Sequence, residues 1–319
     1  MYSPVHTLIL GSEGQLGSEL RLALQEKMDP SQLLCTDLKA GGDVGLVRFE
    51  TLDVLDFKAL EDLFERSRPR HVYLLAAMLS AKGETNPQAA WKLNMDGLIA
   101  VLDLSLRYGI ERVFWPSSIA VFGPESPRDP AVQAGYMDPQ TVYGISKLSG
   151  ELWCRYYHTV HGLDVRSLRY PGIISWRTLP GGGTTDYAVD IFHQALASQQ
   201  YTCFLQEDSR LPMIYIDDAI RGTLELMNAP TEHIRCRTSY NLGAMDFTPG
   251  ELAAEIRHRI PSFTIQYAPD FRQVIANQWP MRVDDRKARA DWGWSPRFDL
   301  AATCDTMLAA LSETSSVAR

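Results

Sequence analysis

The first half of the chain alternates between two kinds of segment, and that rhythm limits its fold more than any single motif. Short apolar, β-rich runs occur at His6–Gly11, Leu33–Asp37, Val47–Asp53, His71–Ala77 and Arg112–Ser118. Most are separated by helical patterns, at Gln15–Lys27, Phe57–Arg66 and Gln88–Tyr108. A sixth run, Asp164–Tyr170, follows a helical stretch over Tyr143–His161. Short apolar strands joined by helices bury both faces in a parallel sheet with right-handed crossovers. The pattern predicts an α/β fold, a Rossmann-type doubly wound parallel sheet. Past Gly172 the elements shorten, which predicts a smaller C-terminal lobe. The expected division is residues 1–172 for the sheet domain and 173–319 mainly for the lobe, with segments that return to the first domain.

Composition narrows the function classes. A chain of 319 residues holds about two domains of roughly 150 residues. With 45% hydrophobic residues it can build a full core. A net charge of −8, with the signs mixed, argues against a nucleic-acid partner. No apolar stretch reaches the length of a membrane span. The opening "MYSPVHTLILG" runs straight into a strand and lacks the parts of a signal peptide. Five scattered cysteines without a Cys-x-x-Cys pair predict reduced thiols in a cytoplasmic protein. His158 and His161 lack an acidic third ligand at metal spacing, so no metal is expected.

Two glycine clusters carry the functional signal. "LILGSEGQLGSEL" places Gly11, Gly14 and Gly17 between the first strand and the first helix. Glycine there permits a tight turn and a close approach to a pyrophosphate, and the helix N-terminus offers free N–H groups. Asp37 ends the second strand 20 residues past Gly17, where a carboxylate accepts ribose hydroxyls and repels a 2′-phosphate. These features predict NAD rather than NADP. Asp53 and Val54 end the third strand, where the adenine edge would lie. The second cluster, "PGGGTTDYAVDIF" (180–192), sets three glycines before two threonines. A glycine run exposes backbone N–H groups suited to a small carboxylate. Thr184 and Thr185 are also placed to cap the helix that follows.

"TVYGISKLSGELW" puts Tyr143 and Lys147 four apart on a helix, hence on one face. "FWPSSIAVFG" brings Ser118 to the C-terminal end of the fifth strand, the side on which open α/β sheets bind ligands. Alcohol oxidation by hydride transfer needs a base for the hydroxyl proton. A free tyrosine is too weak an acid to serve at neutral pH. A neighbouring Lys147 ammonium is expected to lower its pKa, and Ser118 to fix the reacting oxygen.

Taken together, the glycine pattern, Asp37, Asn94 in "KLNMDG", "SSIAVFG" and "YGISK" resemble the extended short-chain dehydrogenase/reductase family of NAD-dependent epimerases and dehydratases. The resemblance implies a cofactor site formed by Gly11, Gly14, Gln15, Leu16, Gly17, Asp37, Asp53, Val54, Leu75, Ala76, Ala77, Asn94, Tyr143, Lys147, Tyr170 and Ile173. Lys147 would also hold the nicotinamide ribose. The later segments "LRYPGIISWRTLPGGGTTDYAVDIF", "FLQEDSRLPMIYIDDAI" and "QWPMRVDDRKARADWGW" are similar to the branch that oxidises L-threonine at C3. That branch implies a substrate site of Ser80, Ser118, Tyr143, Trp279 and one of Thr184 or Thr185, with Tyr143 as base and 2-amino-3-oxobutyrate as product. It also implies a homodimer built from the helices near Gln88–Tyr108 and Tyr143–His161. A UDP-sugar 4-epimerase or dehydratase and a non-catalytic NAD sensor are the competing readings. Trp279 also suits the core, and Ser80 an ordinary loop. The pairs Asp217-Asp218 and Asp284-Asp285 precede helical runs and are expected to cap them.

Overall fold

The computed structural model describes residues 5–39 and 46–317. In chain order its first half comprises β1 (Thr7–Leu10), α1 (Gln15–Gln25), β2 (Leu33–Asp37), β3 (Arg48–Thr51), α2 (Phe57–Ser67) and β4 (His71–Leu74). There follow α3 (Ser80–Thr85), α4 (Pro87–Trp91), α5 (Gly97–Arg107), β5 (Arg112–Ser118), α6 (Val142–His161) and β6 (Val165–Tyr170). The second half holds β7 (Gly172–Ile174), α7 (Tyr187–Ala197), β8 (Gln200–Cys203), β9 (Leu211–Tyr215) and α8 (Ile216–Asn228). It continues through β10 (Tyr240–Asn241), β11 (Met245–Phe247), α9 (Pro249–Arg259), β12 (Thr264–Tyr267), α10 (Phe271–Ala276), α11 (Arg286–Trp292) and α12 (Leu300–Val317).

Seven strands form one parallel sheet in the order β10-β6-β5-β4-β1-β2-β3. The doubly wound fold follows from strand composition. All four residues of β1 are buried. Successive side chains point to opposite faces, so Ile9 enters one core cluster while Leu8 and Leu10 enter the other. A strand buried on both sides reads as continuous apolar sequence, which is the mark of a parallel sheet covered by helices. The connections reverse direction at β1, which lies between β2 and β4. That reversal opens a crevice beyond the carboxyl ends of these strands.

The lobe is not a separate core. One buried cluster runs from Ile9 and Phe114 in the main sheet to Phe192, Phe247 and Trp294 in the second half. β10 pairs with β6 through Tyr240↔Leu168 and Asn241↔Arg169, so the second half contributes an edge strand to the sheet. Two smaller sheets, β11-β9-β7 and β12-β8, build the rest of the lobe. Among the described residues, no helix is long and apolar enough to cross a membrane.

Three local expectations change. The single helix expected over Gln88–Tyr108 is interrupted by a π-helical turn at Lys92–Asp96. Its cause is Asn94, whose side chain accepts from the Met78 N–H (2.8 Å) and donates to the Met78 carbonyl and the Ser146 hydroxyl (3.1 Å each). Ser80 opens a short helix rather than sitting in a loop. Of the paired aspartates, Asp284 meets the start of its helix, accepting from the Arg286 N–H at 3.0 Å, and the others do not cap. The buried Asp218 accepts from the Arg297 and Phe298 backbone N–H groups (2.8 and 2.9 Å) and pairs with Arg221. Asp217 makes no cap bond, and Asp284 and Asp285 pair with Arg286 and Arg289.

Candidate active site

Gly11, at the end of β1, adopts φ +90°, and a Cβ there would lie 2.5 Å from the Ala76 nitrogen. A Cβ on Gly17 would lie 2.2 Å from the Gly11 carbonyl oxygen. Both glycines are therefore required by the chain's own close packing. Gly14 differs: a Cβ there would meet nothing nearer than 3.9 Å. It is the N-cap of α1, and no side chain caps that helix. Unsatisfied N–H groups facing open space at a helix N-terminus suit a phosphate. Asp37 steadies the loop, because one of its oxygens accepts from the Glu13 N–H at 2.9 Å.

The crevice leads to a cavity of about 230 Å³. Gly11, Gly14, Gln15, Leu16 and Gly17 line one end, with Leu75 and Ala77 from the end of β4. Ser118, Tyr143, Lys147, Tyr170, Ile173, Ser80, Thr184, Thr185 and Trp279 line it as well. Asp37, Asp53, Val54, Ala76 and Asn94 do not line it. Asp53 turns back to accept from the Leu55 N–H (2.9 Å), Ala76 lies beneath Gly11, and the amide of Asn94 is engaged as described. Sequence reading missed Pro116, Ser117, Leu79 and Asp186 among the lining residues. Their types carry no chemical signature, and only the meeting of β5, the β4 end and the second glycine loop places them there.

Tyr143 and Lys147 share the inner face of α6, whose first turn is capped by the Thr141 side chain on the Gly144 N–H. Lys147 is buried, donates from Nζ to the Pro116 carbonyl at 2.7 Å and lies 4.5 Å from the Trp115 ring centre. Burial pushes it down to about 7. Burial also pushes the Tyr143 phenol up to about 12, while the neighbouring Ser118 hydroxyl pulls the other way. Lys147 Nζ, held on the Pro116 carbonyl, lies 5.5 Å from the Tyr143 ring centre. One turn beyond Lys147, Glu151 forms a fully buried pair with Arg169 (2.7 Å) and accepts from Ser117 at 2.6 Å. This pair ties β5, β6 and α6 together beneath the site.

The second glycine loop folds differently from expectation. The Gly182 and Gly183 N–H groups both donate to one oxygen of Asp186 (2.8 Å each), so they are not presented to the cavity. Gly182 has φ +92°, and a Cβ on Gly183 would lie 2.7 Å from the other Asp186 oxygen. The glycines thus wrap an aspartate. Neither threonine caps α7, which begins after Asp186 without a side-chain cap. The two threonines also separate. Thr185 lays its methyl and Cβ against Gly172. Thr184 is 1% exposed, and its hydroxyl has no partner among the described residues. Trp279 is buried in the main core cluster and also lines the cavity.

A Rossmann sheet with a glycine turn, a Tyr-x-x-x-Lys helix and a strand-end serine around one cavity defines a dinucleotide-dependent oxidoreductase or epimerase scaffold. The family model for the NAD dependent epimerase/dehydratase family matches residues 7–243, and the chain belongs to that family. It is 45% identical over 304 residues to the mitochondrial L-threonine 3-dehydrogenase of Bos taurus, covering 94% of this chain and 81% of that protein. Its fold matches the holo form of a GalE-like L-threonine dehydrogenase from Cupriavidus necator with a TM-score of 0.94 and 53% identity. That match covers 96% of this chain and 99% of the other. The apo form of a monomeric L-threonine 3-dehydrogenase from a metagenome gives a TM-score of 0.94 at 44% identity, covering 97% and 99%. The family resemblance seen in the sequence is thereby borne out.

Proposed function

We propose that this protein oxidises L-threonine at C3 to 2-amino-3-oxobutyrate with NAD. The observation that carries this reading is Thr184, which lines the same cavity as Tyr143 and Ser118 and whose buried hydroxyl has no partner among the described residues. The relatives' names point the same way.

The residues fit NAD. Gly11, Gly14, Gln15, Leu16 and Gly17 would receive its phosphates, Asp37 its adenosine ribose, and Lys147 its nicotinamide ribose. When bound, NAD supplies the hydride acceptor and a positive charge near Tyr143. Tyr143 takes the proton of the substrate hydroxyl as C3 loses its hydrogen. Ser118 holds that oxygen in place, and Thr184 and Ser80 orient the amino acid. Burial excludes water and keeps the phenol protonated until a nearby positive charge favours its ionisation. Residues 1–172 would act as the cofactor domain and 173–319 mainly as the substrate lobe.

The assembly and setting are part of the same proposal. α6 exposes Ile145, Leu152, Trp153, Tyr156 and Val160, an apolar stripe suited to a homodimer through α5 and α6. Five free cysteines suit a cytoplasmic protein. Absorbance at 340 nm tests the function, with NAD and, in parallel, L-threonine, L-allo-threonine, L-serine and UDP-glucose. NADH formation with L-threonine is expected. Turnover of the nucleotide-sugar alone would replace this reading with the epimerase one, and bound NAD without any turnover would favour a sensor.

A further inference from the structure

The helix that would receive the cofactor is tied along its length to the chain leading into the substrate loop. Gln15, in the first turn of α1, donates from Nε2 to the Ser175 hydroxyl (2.9 Å) and to the Ile173 carbonyl (3.3 Å). One turn further on the same face, about 6 Å along the axis, Glu19 accepts from Arg177 at 2.7 Å. Residues 173–177 lead directly to Pro180–Asp186 and so to Thr184.

Glu19 is an unusual residue to find there. It is 7% exposed, while Arg177 is 44% exposed in its side chain. One Glu19 oxygen meets Arg177, and the other is buried without a partner among the described residues. Burial, with Asp217 adding a like charge, disfavours its ionised form, and Arg177 opposes both. A buried carboxylate with a single arginine partner contributes little to stability by itself. Its effect is to fix the register between two elements. The arginine also stacks over Trp176, at 4.4 Å from the ring centre, which orients the loop's first residues.

We propose that the Glu19–Arg177 ion pair is a positioning contact that clamps the base of the substrate loop to the cofactor helix, so that cofactor binding at the N-terminus of α1 orders the loop carrying Thr184. The consequence for threonine rests on the function proposed above, whereas the clamp itself does not. Coupling of this kind is reciprocal: a cofactor that tightens amino-acid binding is itself tightened by the amino acid.

The test uses the full chain with NADH as the probe, and measures hydrogen exchange of residues 178–186 with and without it. In the unmodified protein NADH should slow exchange there. In Arg177→Gln and Glu19→Gln, NADH should bind within about threefold of its original affinity while the loop protection is lost, and Arg177→Lys should restore part of it. In turnover, the KM for L-threonine should rise about tenfold in both variants and no further in the double variant, with kcat within about twofold. Arg177 is half-exposed, so its variants keep the test valid if Glu19→Gln fails to fold. Equal loop protection in the variants and the unmodified protein would overturn the clamp, as would a fall in kcat without a change in KM. NADH-dependent protection that the variants lose, without threonine turnover, would support the clamp and remove the threonine reading instead.

Discussion

The two glycine loops of this protein use the same residue for opposite ends. In the first, Gly11 and Gly17 let the backbone pack on itself, and Gly14 leaves the uncapped N-terminus of α1 facing open space. Its N–H groups remain available to a ligand. In the second, Gly182 and Gly183 direct their N–H groups inward to Asp186, and Thr184, whose buried hydroxyl has no partner among the described residues, lines the cavity. Under the proposed function, one loop would recognise its ligand with backbone and the other with a side chain held by backbone. The contrast suits their ligands. A pyrophosphate is met by an array of N–H donors and a helix dipole. A small amino acid needs a few fixed polar groups at set distances.

The chemistry between the loops should show the largest effects. Tyr143→Phe removes the proton acceptor, and turnover of L-threonine should fall about 10³-fold while calorimetry shows NAD binding retained. A largely active variant would mean that neither loop presents its ligand to Tyr143.

Lys147→Met should abolish most activity and yet stabilise the ligand-free protein. Burial lowers Lys147 from 10.5 to about 7. Between those values the unfolded chain holds a proton that the folded chain has released, so stability rises with pH across that window. The penalty of burying the cation is complete below pH 7 and is relieved above it. Thermal unfolding should therefore show the variant's advantage greatest near pH 6 and shrinking towards pH 9. An advantage independent of pH would show that Lys147 is not titrating in this way.

Glycine replacements separate the loops more finely. In Gly17→Ala the new Cβ would collide with backbone at 2.2 Å, which costs about 1–3 kcal/mol and should weaken NAD binding. In Gly183→Ala the collision is with the Asp186 side chain, which can shift. The smaller cost should appear as a raised KM for L-threonine with NAD affinity unchanged. Equal effects of both variants on NAD would erase the distinction.

Much of this was legible in the sequence, and for definite reasons. The strands announce themselves because burial on both faces makes them continuously apolar. The first glycine loop and Tyr143 with Lys147 are read from spacing, because a turn and a helix fix their geometry locally. What was not legible depends on distant partners. β10 has two residues, too few for any periodicity. The π-turn arises from the bonds of Asn94 to Met78 and Ser146. The partner of Lys147 is a strand carbonyl, which the spacing on α6 does not reveal. The second glycine loop was read as a display of N–H groups because its composition does not reveal that Asp186 folds back to take them.

Thr184→Val tests the account most directly, because it removes one hydroxyl and keeps the shape. An unpartnered buried hydroxyl costs about 1–3 kcal/mol, so the ligand-free variant should be at least as stable as the parent. Its kcat/KM for L-threonine should fall about 10- to 100-fold, with NAD affinity unchanged. Unaltered kinetics would show that the second loop does not hold the amino acid, and the division of labour between the two glycine loops would be wrong.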